Sequence, residues 1–258
     1  MINEFKEYQR KGIVILRNVL SKNEIIQTKQ KLDKLRKKQK TNRGNSEPLN
    51  DRAIIGSLEK EKFFVELINK KKLNLLISKI LKAENYKIWN AKCNIKKEYF
   101  GTVEYFHQDH SYWKNLGFKN NQKLFSLMVC VDPQSILNSS LAYYEKTHRK
   151  IYSHKKLLNV NLLQKNAVSE TELRKLDKTN NIKYLNCRSG DIVIFDWKLI
   201  HGSSHNISKN SRKIILYQIS SKENYDEKKM KLFSQKYNFK RKKFEKKETL
   251  KIIQAKKN

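Results

Sequence analysis

Residues 189–218 read SGDIVIFDWKLIHGSSHNISKNSRKIILYQ, and the fold turns on how this stretch is interpreted. Two apolar runs, Ile192–Ile200 and Ile214–Ile219, flank a polar segment of Ser, Asn and Lys. That pattern predicts two strands joined as a hairpin that turns near His205–Ser208. His201 closes the first run and Arg212 opens the second, so pairing sets an imidazole and a guanidinium at one end of a sheet. Such a juxtaposition suggests a metal beside an anion clamp. The remaining metal ligands must then come from elsewhere in the chain.

They appear upstream, in EYFHQDHSYW at residues 104–113. His107 and Asp109 are two apart, and a strand sends residues i and i+2 to one face. One imidazole and one carboxylate on a shared face, with His201 as the distant second imidazole, form the two-His-one-carboxylate donor set of non-haem Fe(II) oxygenases. An isolated H-x-D motif carries little information. The ordered set, with Arg212 eleven residues after His201, carries much more. His110 follows Asp109 directly and would face away from it in a strand, and His205 falls inside the predicted turn, so His201 is preferred to both.

On these residues the chain resembles the phytanoyl-CoA dioxygenase-like family of Fe(II)/2-oxoglutarate oxygenases. The matching positions are His107-Gln108-Asp109, the segment from Asn138 through Leu141 to Thr147-His148-Arg149, Gly190-Asp191, His201-Gly202-Ser203, Asn206 and Arg212, and the likeness runs from about Phe5 to Ser220. The resemblance implies a mainly β protein with flanking helices, a double-stranded β-helix of the jelly-roll, cupin-like kind. It implies Fe(II) on His107, Asp109 and His201, with 2-oxoglutarate as cosubstrate and O2 as oxidant. The planar fork of Arg212 suits the distal carboxylate of 2-oxoglutarate. Ser203 would add a hydroxyl donor there, Gln108 would help hold the cosubstrate near the iron, and Lys96 stands where relatives often carry a basic residue. The reaction implied is hydroxylation of an unidentified small organic or lipid-like substrate, with succinate and CO2 released. Relatives that halogenate lack the carboxylate ligand, so Asp109 implies hydroxylation. The alternatives are an oxygenase acting on nucleic acid or another polyanion, and a non-catalytic binding protein that keeps the fold.

One segment departs from the family pattern. Ser139 stands where relatives carry the first Gly, and Glu145-Lys146 where they carry Pro-Gly. Glycine permits backbone conformations that these residues resist, so the turn before Thr147-His148-Arg149 is expected to differ in shape. Tyr112, Trp113 and Tyr144 are candidate pocket walls.

Composition sets the outer limits. At 258 residues the chain can bury one substantial core. Lys and Arg number 57 against 25 Asp and Glu, a formal charge of +32. The Lys residues spread along the whole chain among many Asn and Ile, which favours solvated basic faces over a nucleic-acid footprint. Cys93, Cys130 and Cys187 form no close pair and read as reduced, buried thiols. Met1–Gln9 has no apolar core, so it does not read as a signal peptide. No apolar run approaches the ~20 residues a membrane helix requires. The expectation is a soluble cytoplasmic protein with a small-molecule substrate.

Along the chain, a helix over Glu4–Lys11, Gly12 and a strand Ile13–Leu16 come first. The capping box Ser21-x-x-Glu24 opens a helix to about Lys37 with Ile25, Leu32 and Leu35 inward. Thr41–Asn50 reads as a mobile flap, and Lys60–Leu81 as two helices with Phe63, Leu67, Leu73, Leu76 and Ile80 inward. Strands are expected over Tyr86–Asn94, Lys97–Tyr105 and Leu141–Tyr144, with a polar turn over Lys146–Lys150. The near-continuous apolar run Leu124–Val131 should be covered on both faces. Asn159–Asn181 is an insert with a helix starting at the capping box Ser169–Glu172, placed to lid the site. The oxygenase domain is taken as residues 1–224, and residues 225–258 as a Lys-rich helical or partly disordered tail.

Overall fold

The structure, a computed structural model, describes residues 2–41, 52–101, 103–113, 124–157, 166–224, 226 and 228–229. Its chain runs α1 (Ile2–Lys11), β1 (Ile13–Leu16), α2 (Lys22–Thr41), β2 (Arg52–Ile55), α3 (Lys62–Leu67), α4 (Lys71–Leu81), β3 (Tyr86–Lys96) and β4 (Glu104–His107). There follow α5 (His110–Trp113), β5 (Leu124–Cys130), β6 (Ala142–Tyr144), β7 (His154–Lys156), β8 (Asn166–Val168), α6 (Glu170–Asp177), β9 (Lys183–Tyr184), β10 (Ile192–Asp196), β11 (Ile200–Ser203) and β12 (Arg212–Ser221).

Six strands form one antiparallel sheet in the order β1-β10-β5-β12-β3-β2, and four form a second in the order β4-β11-β6-β9. The alternation of side chains along each strand settles what lies on either side. On β1, Val14 and Leu16 join the helices in one core with Ile77, Leu127 and Tyr217. Ile13 and Ile15 point the other way and pack with Met128, Val193 and Ile214 against Leu141, Tyr143 and Leu199 of the smaller-sheet side. Two sheets face to face with helices buttressing the larger one are the expected jelly-roll. Because β5 lies between β10 and β12 with both faces covered, every one of its residues is buried.

Local signals placed many of the elements. Ser21 N–H donates to Glu24 Oε2 at 2.9 Å and Glu24 N–H to Ser21 Oγ at 3.2 Å, the reciprocal capping pair at the start of α2. Ser169 caps α6 through Glu172 N–H. Gly12 adopts φ +81°, and a Cβ there would fall 2.4 Å from the His148 ring, so only glycine lets α1 turn into β1 at this point.

Several expectations are corrected. The two runs of the opening stretch do not pair as a hairpin. The first breaks after Asp196, leaving β10 in the large sheet and carrying β11 into the small one, and β12 pairs with β3 and β5 instead. Sheets that face each other need a strand run that crosses between them, and no Gly or Pro marks this crossing. The first upstream strand continues to Lys96, and the second shrinks to β4, because residues 98–100 turn. The insert buttresses the outer face of the small sheet: Val168 and Leu176 pack with Tyr144 and Ile200. The Thr41–Asn50 flap, apart from Thr41, and residues 230–258 of the proposed tail lie outside the described residues. Among the described residues no helix is long and apolar enough to cross a membrane, and all three cysteines are buried and free.

Candidate active site

Two neighbouring strands of the small sheet bring His107 and His201 together. They are Cα partners across β4 and β11, with ring centroids 4.3 Å apart. This close approach needs Gly202, where a Cβ would fall 2.7 Å from the Glu104 carbonyl oxygen and 3.1 Å from Phe106 N. Each ring is oriented by the carbonyl two residues before it. His107 Nδ1–H donates to Tyr105 O at 2.8 Å and His201 Nδ1–H to Leu199 O at 3.0 Å. The tautomer is thereby fixed, and both Nε2 lone pairs are left as ligands.

Asp109 reaches the same point from the turn after β4 rather than from the strand itself. Its Oδ1 lies 3.7 Å from His107 Nε2 and 4.0 Å from His201 Nε2, while Oδ2 accepts a 3.0 Å hydrogen bond from Ser126 Oγ on β5. One donor atom from each of the three residues lies within 4.8 Å of the others. Burial, and then the neighbouring His201, pushes the His107 imidazole down to about 4, so it is neutral at pH 7. Two imidazoles and a carboxylate, each held by a hydrogen bond through its other polar atom, suit a divalent iron.

A second polar centre lies at one end of β12 and β3. Arg212 and Lys96 are Cα partners and both are buried, at 3% and 2% exposure. Lys96 Nζ donates to Ser139 Oγ at 2.6 Å, Ser203 Oγ at 2.7 Å and Ser204 O at 2.8 Å. Arg212 Nη1 donates to Gln134 Oε1 at 2.9 Å. Two adjacent buried cations and a hydroxyl, two residues along β11 from His201, could together hold a carboxylate. Arg212 and Ser203 both lie at this centre, linked through Lys96. Lys96 proves as central as either. Its sequence signal is faint, because a lysine is an unusual residue to bury.

Gln108 is not brought to the site. Its Nε2 donates to Lys150 O at 2.9 Å and to Lys198 O, and its Oε1 accepts from Tyr152 N at 2.9 Å. Lying between two inward residues, it faces outward and ties three backbone segments together. His110 begins α5 with its ring 4.7 Å from Trp197, and His205 is exposed with Nδ1–H donating to Gly101 O at 3.0 Å. Tyr112 lies edge-on to His107 at 5.7 Å and its OH donates to Asn166 O at 2.9 Å. Trp113 joins Trp89 and Trp197 in an aromatic cluster, whereas Tyr144 is core and donates to Asp177 Oδ1 at 2.6 Å. The buried Asp191 is structural, paired with Arg17 at 2.7 Å. In the segment that departs from the family pattern, Ser139 and Lys146 take φ +67° and +65°. Both residues hold the left-handed backbone that glycine would occupy at less cost.

The comparisons with known proteins agree with this geometry. The family model described as phytanoyl-CoA dioxygenase (PhyH) matches residues 8–214. EctD from S. alaskensis, solved with 2-oxoglutarate and 5-hydroxyectoine, is 17% identical, with TM-score 0.70 over 87% of this chain and 77% of that one. SnoK, a non-haem α-ketoglutarate-dependent carbocyclase from nogalamycin biosynthesis, is 12% identical, with TM-score 0.68 over 86% and 84%. HygX from Streptomyces hygroscopicus, solved with nickel and 2-oxoglutarate bound, is 12% identical, with TM-score 0.62 over 86% and 87%. No curated protein sequence matches the chain.

Proposed function

The chain belongs to the phytanoyl-CoA dioxygenase family and is an Fe(II)- and 2-oxoglutarate-dependent oxygenase; from that premise we propose that it hydroxylates a small organic or lipid-like substrate, with succinate and CO2 as co-products. The observation that supports this reading most is the pairing of two centres in one barrel. The His107–Asp109–His201 donor set stands at one, and the Arg212–Lys96–Ser203 clamp at the other.

Bound at the donor set with 2-oxoglutarate and O2, iron supplies the oxidising power to functionalise an unactivated C–H bond. The protein's part is placement. Tyr105 O and Leu199 O hold the two imidazoles with Nε2 inward, and Ser126 Oγ holds Asp109 Oδ2 so that Oδ1 faces them. Arg212 and Lys96 would neutralise the distal carboxylate of the cosubstrate and fix its direction, with the Ser203 hydroxyl beside them. Phe195, 4.9 Å from the His201 ring, and the Trp89–Trp113–Trp197 cluster keep the surroundings apolar and limit water. Asp109 would supply the carboxylate ligand in the place a halide would need, which supports hydroxylation over halogenation.

The test is succinate release from 2-oxoglutarate with Fe(II) and fractionated metabolite pools, followed by mass spectrometry of the product made in labelled O2 and high chloride. Oxygen-18 in a product formed one for one with succinate is the expected result. A chlorinated product, or no fraction that drives succinate release, contradicts the reading.

A further inference from the structure

We propose that Gln108 is a positioning residue of the iron site: its buried carboxamide latches the turn that carries Asp109 to the segment that leads into His201, and so sets the spacing of the three ligands. The proposal rests on the assignment of iron to His107, Asp109 and His201, and adds to it a residue that touches neither metal nor cosubstrate.

The three ligands are not placed by one device. His107 and His201 face each other across the β4–β11 ladder, but β4 ends at His107 and Asp109 lies beyond it in a turn. Ser126 holds the Asp109 carboxylate, and a side-chain bond does not by itself fix where the main chain runs. The turn is instead tied down on either side of Asp109. His110 N–H donates to Trp197 O at 2.9 Å, and Gln108 Nε2–H donates to Lys198 O. Trp197 and Lys198 lie in the turn between β10 and β11, four and three residues before His201. The two bonds thus join the segment that carries one ligand to the segment that carries another.

Gln108 does more than bridge two points. It is 0% exposed, its Nε2 also donates to Lys150 O at 2.9 Å, and its Oε1 accepts from Tyr152 N–H at 2.9 Å. Two carbonyls facing one end of the carboxamide and an N–H facing the other leave it a single orientation. Its backbone N–H donates to His154 Nε2 at 3.2 Å, and His154 Nδ1–H donates to Tyr152 O at 2.8 Å, which closes a ring of bonds around the residue. Lys150, Tyr152 and Lys198 all lie outside helix and strand, so it is the amide that pairs their backbone groups. Packing alone does not call for glutamine here, because methionine would fill a similar volume. Burying a carboxamide costs desolvation that full pairing offsets, and its return is a fixed link between the two ligand-bearing segments. Groups that orient metal ligands in this way act on metal affinity through geometry.

The test measures metal binding and stability on the full chain and needs no substrate. Gln108→Met keeps the length of the side chain and removes every bond of the carboxamide. Anaerobic equilibrium dialysis should show its folded fraction binding Fe(II) at least about tenfold more weakly than the unmutated chain. The visible ligand-field bands of the Co(II)-loaded protein, which report ligand geometry, should change with it. Leu76→Ala, in the helix-side core on α4, is the control for lost stability: its folded fraction should keep the Fe(II) affinity and the Co(II) spectrum of the unmutated chain. His154→Phe, at a half-buried position, removes the acceptor for Gln108 N–H and leaves the carboxamide in place. It should weaken Fe(II) by about threefold or more, and it remains readable if Gln108→Met does not fold. Unchanged affinity and spectrum in Gln108→Met, or in His154→Phe where Gln108→Met does not fold, overturn the proposal alone. An equal loss of affinity in Leu76→Ala does the same, because the effect would then be one of general stability. Absence of Fe(II) binding by the unmutated chain overturns the metal-site assignment, and the proposal with it.

Discussion

On β12, Ile215, Tyr217 and Ile219 turn toward the helices and are buried among apolar neighbours, whereas Arg212, Gln218 and Ser220 on the alternate positions turn into the barrel and are buried as polar groups. The same contrast runs along β3, where Ala91, Cys93 and Ile95 oppose Asn90, Lys92, Asn94 and Lys96. On the helix side, removing apolar area from water stabilises the fold at about 25 cal/mol per Å². On the barrel side, buried cations and amides cost desolvation energy. Residue parity thus divides stability from chemistry within single strands, and substitutions on the two faces should fail in different ways.

The largest effect is expected on the helix face. Leu127 on β5 is 0% exposed within that core, so Leu127→Ala should lower stability by about 3 kcal/mol. The folded fraction should keep its 2-oxoglutarate affinity. Denaturant titration beside ligand binding checks both halves, and a large loss of affinity without a loss of stability would break the division. On the barrel face the order reverses. Arg212→Ala should raise the KM for 2-oxoglutarate about tenfold or more, because a charge-assisted carboxylate contact is lost. Iron affinity should hold. An unchanged KM would move the anchor to another base, with Lys96 first in line.

A smaller effect is expected where the chain crosses between the sheets. Asp196 ends β10 and accepts from Tyr8 OH at 3.1 Å and Lys198 N at 2.8 Å, yet burial raises its carboxyl to about 6. Between the ordinary carboxylate range and 6 the folded state therefore binds more protons than the unfolded chain. Stability should fall as pH rises through that window, with the penalty fully present at pH 7. Asp196→Asn should flatten that slope and raise stability at pH 7 by about 1 kcal/mol. Unfolding curves from pH 4 to 7 test it. An unchanged slope would mean that another group carries the pH dependence.

Much of this was legible in the sequence because the signals were local. The capping boxes at Ser21 and Ser169, the strand Ile13–Leu16 and the near-continuous apolar Leu124–Val131 run each carry their own cause. The donor set was legible for another reason: metal chemistry admits few residue types, and their order along the chain narrows the choice further. What escaped was non-local. No turn residue announces that the run from Ile192 to Ile200 divides between two sheets, or that β12 pairs with strands 80 or more residues away. Gln108 was misplaced because its neighbours' inward positions drew it toward the metal, whereas its amide is held by the backbone of Lys150, Tyr152 and Lys198. Lys96 was underweighted because hydropathy places a lysine at the surface, and only the converging Ser139, Ser203 and Ser204 oxygens explain its burial.

The central claim is that His107, Asp109 and His201 form one iron site. Anaerobic titration of the purified chain with Fe(II), followed by equilibrium dialysis, measures it without any knowledge of the substrate. The expected result is one Fe(II) per chain, largely lost in His107→Ala and in His201→Ala while both variants keep the wild-type unfolding midpoint or exceed it. Wild-type iron stoichiometry retained in both variants would contradict the site.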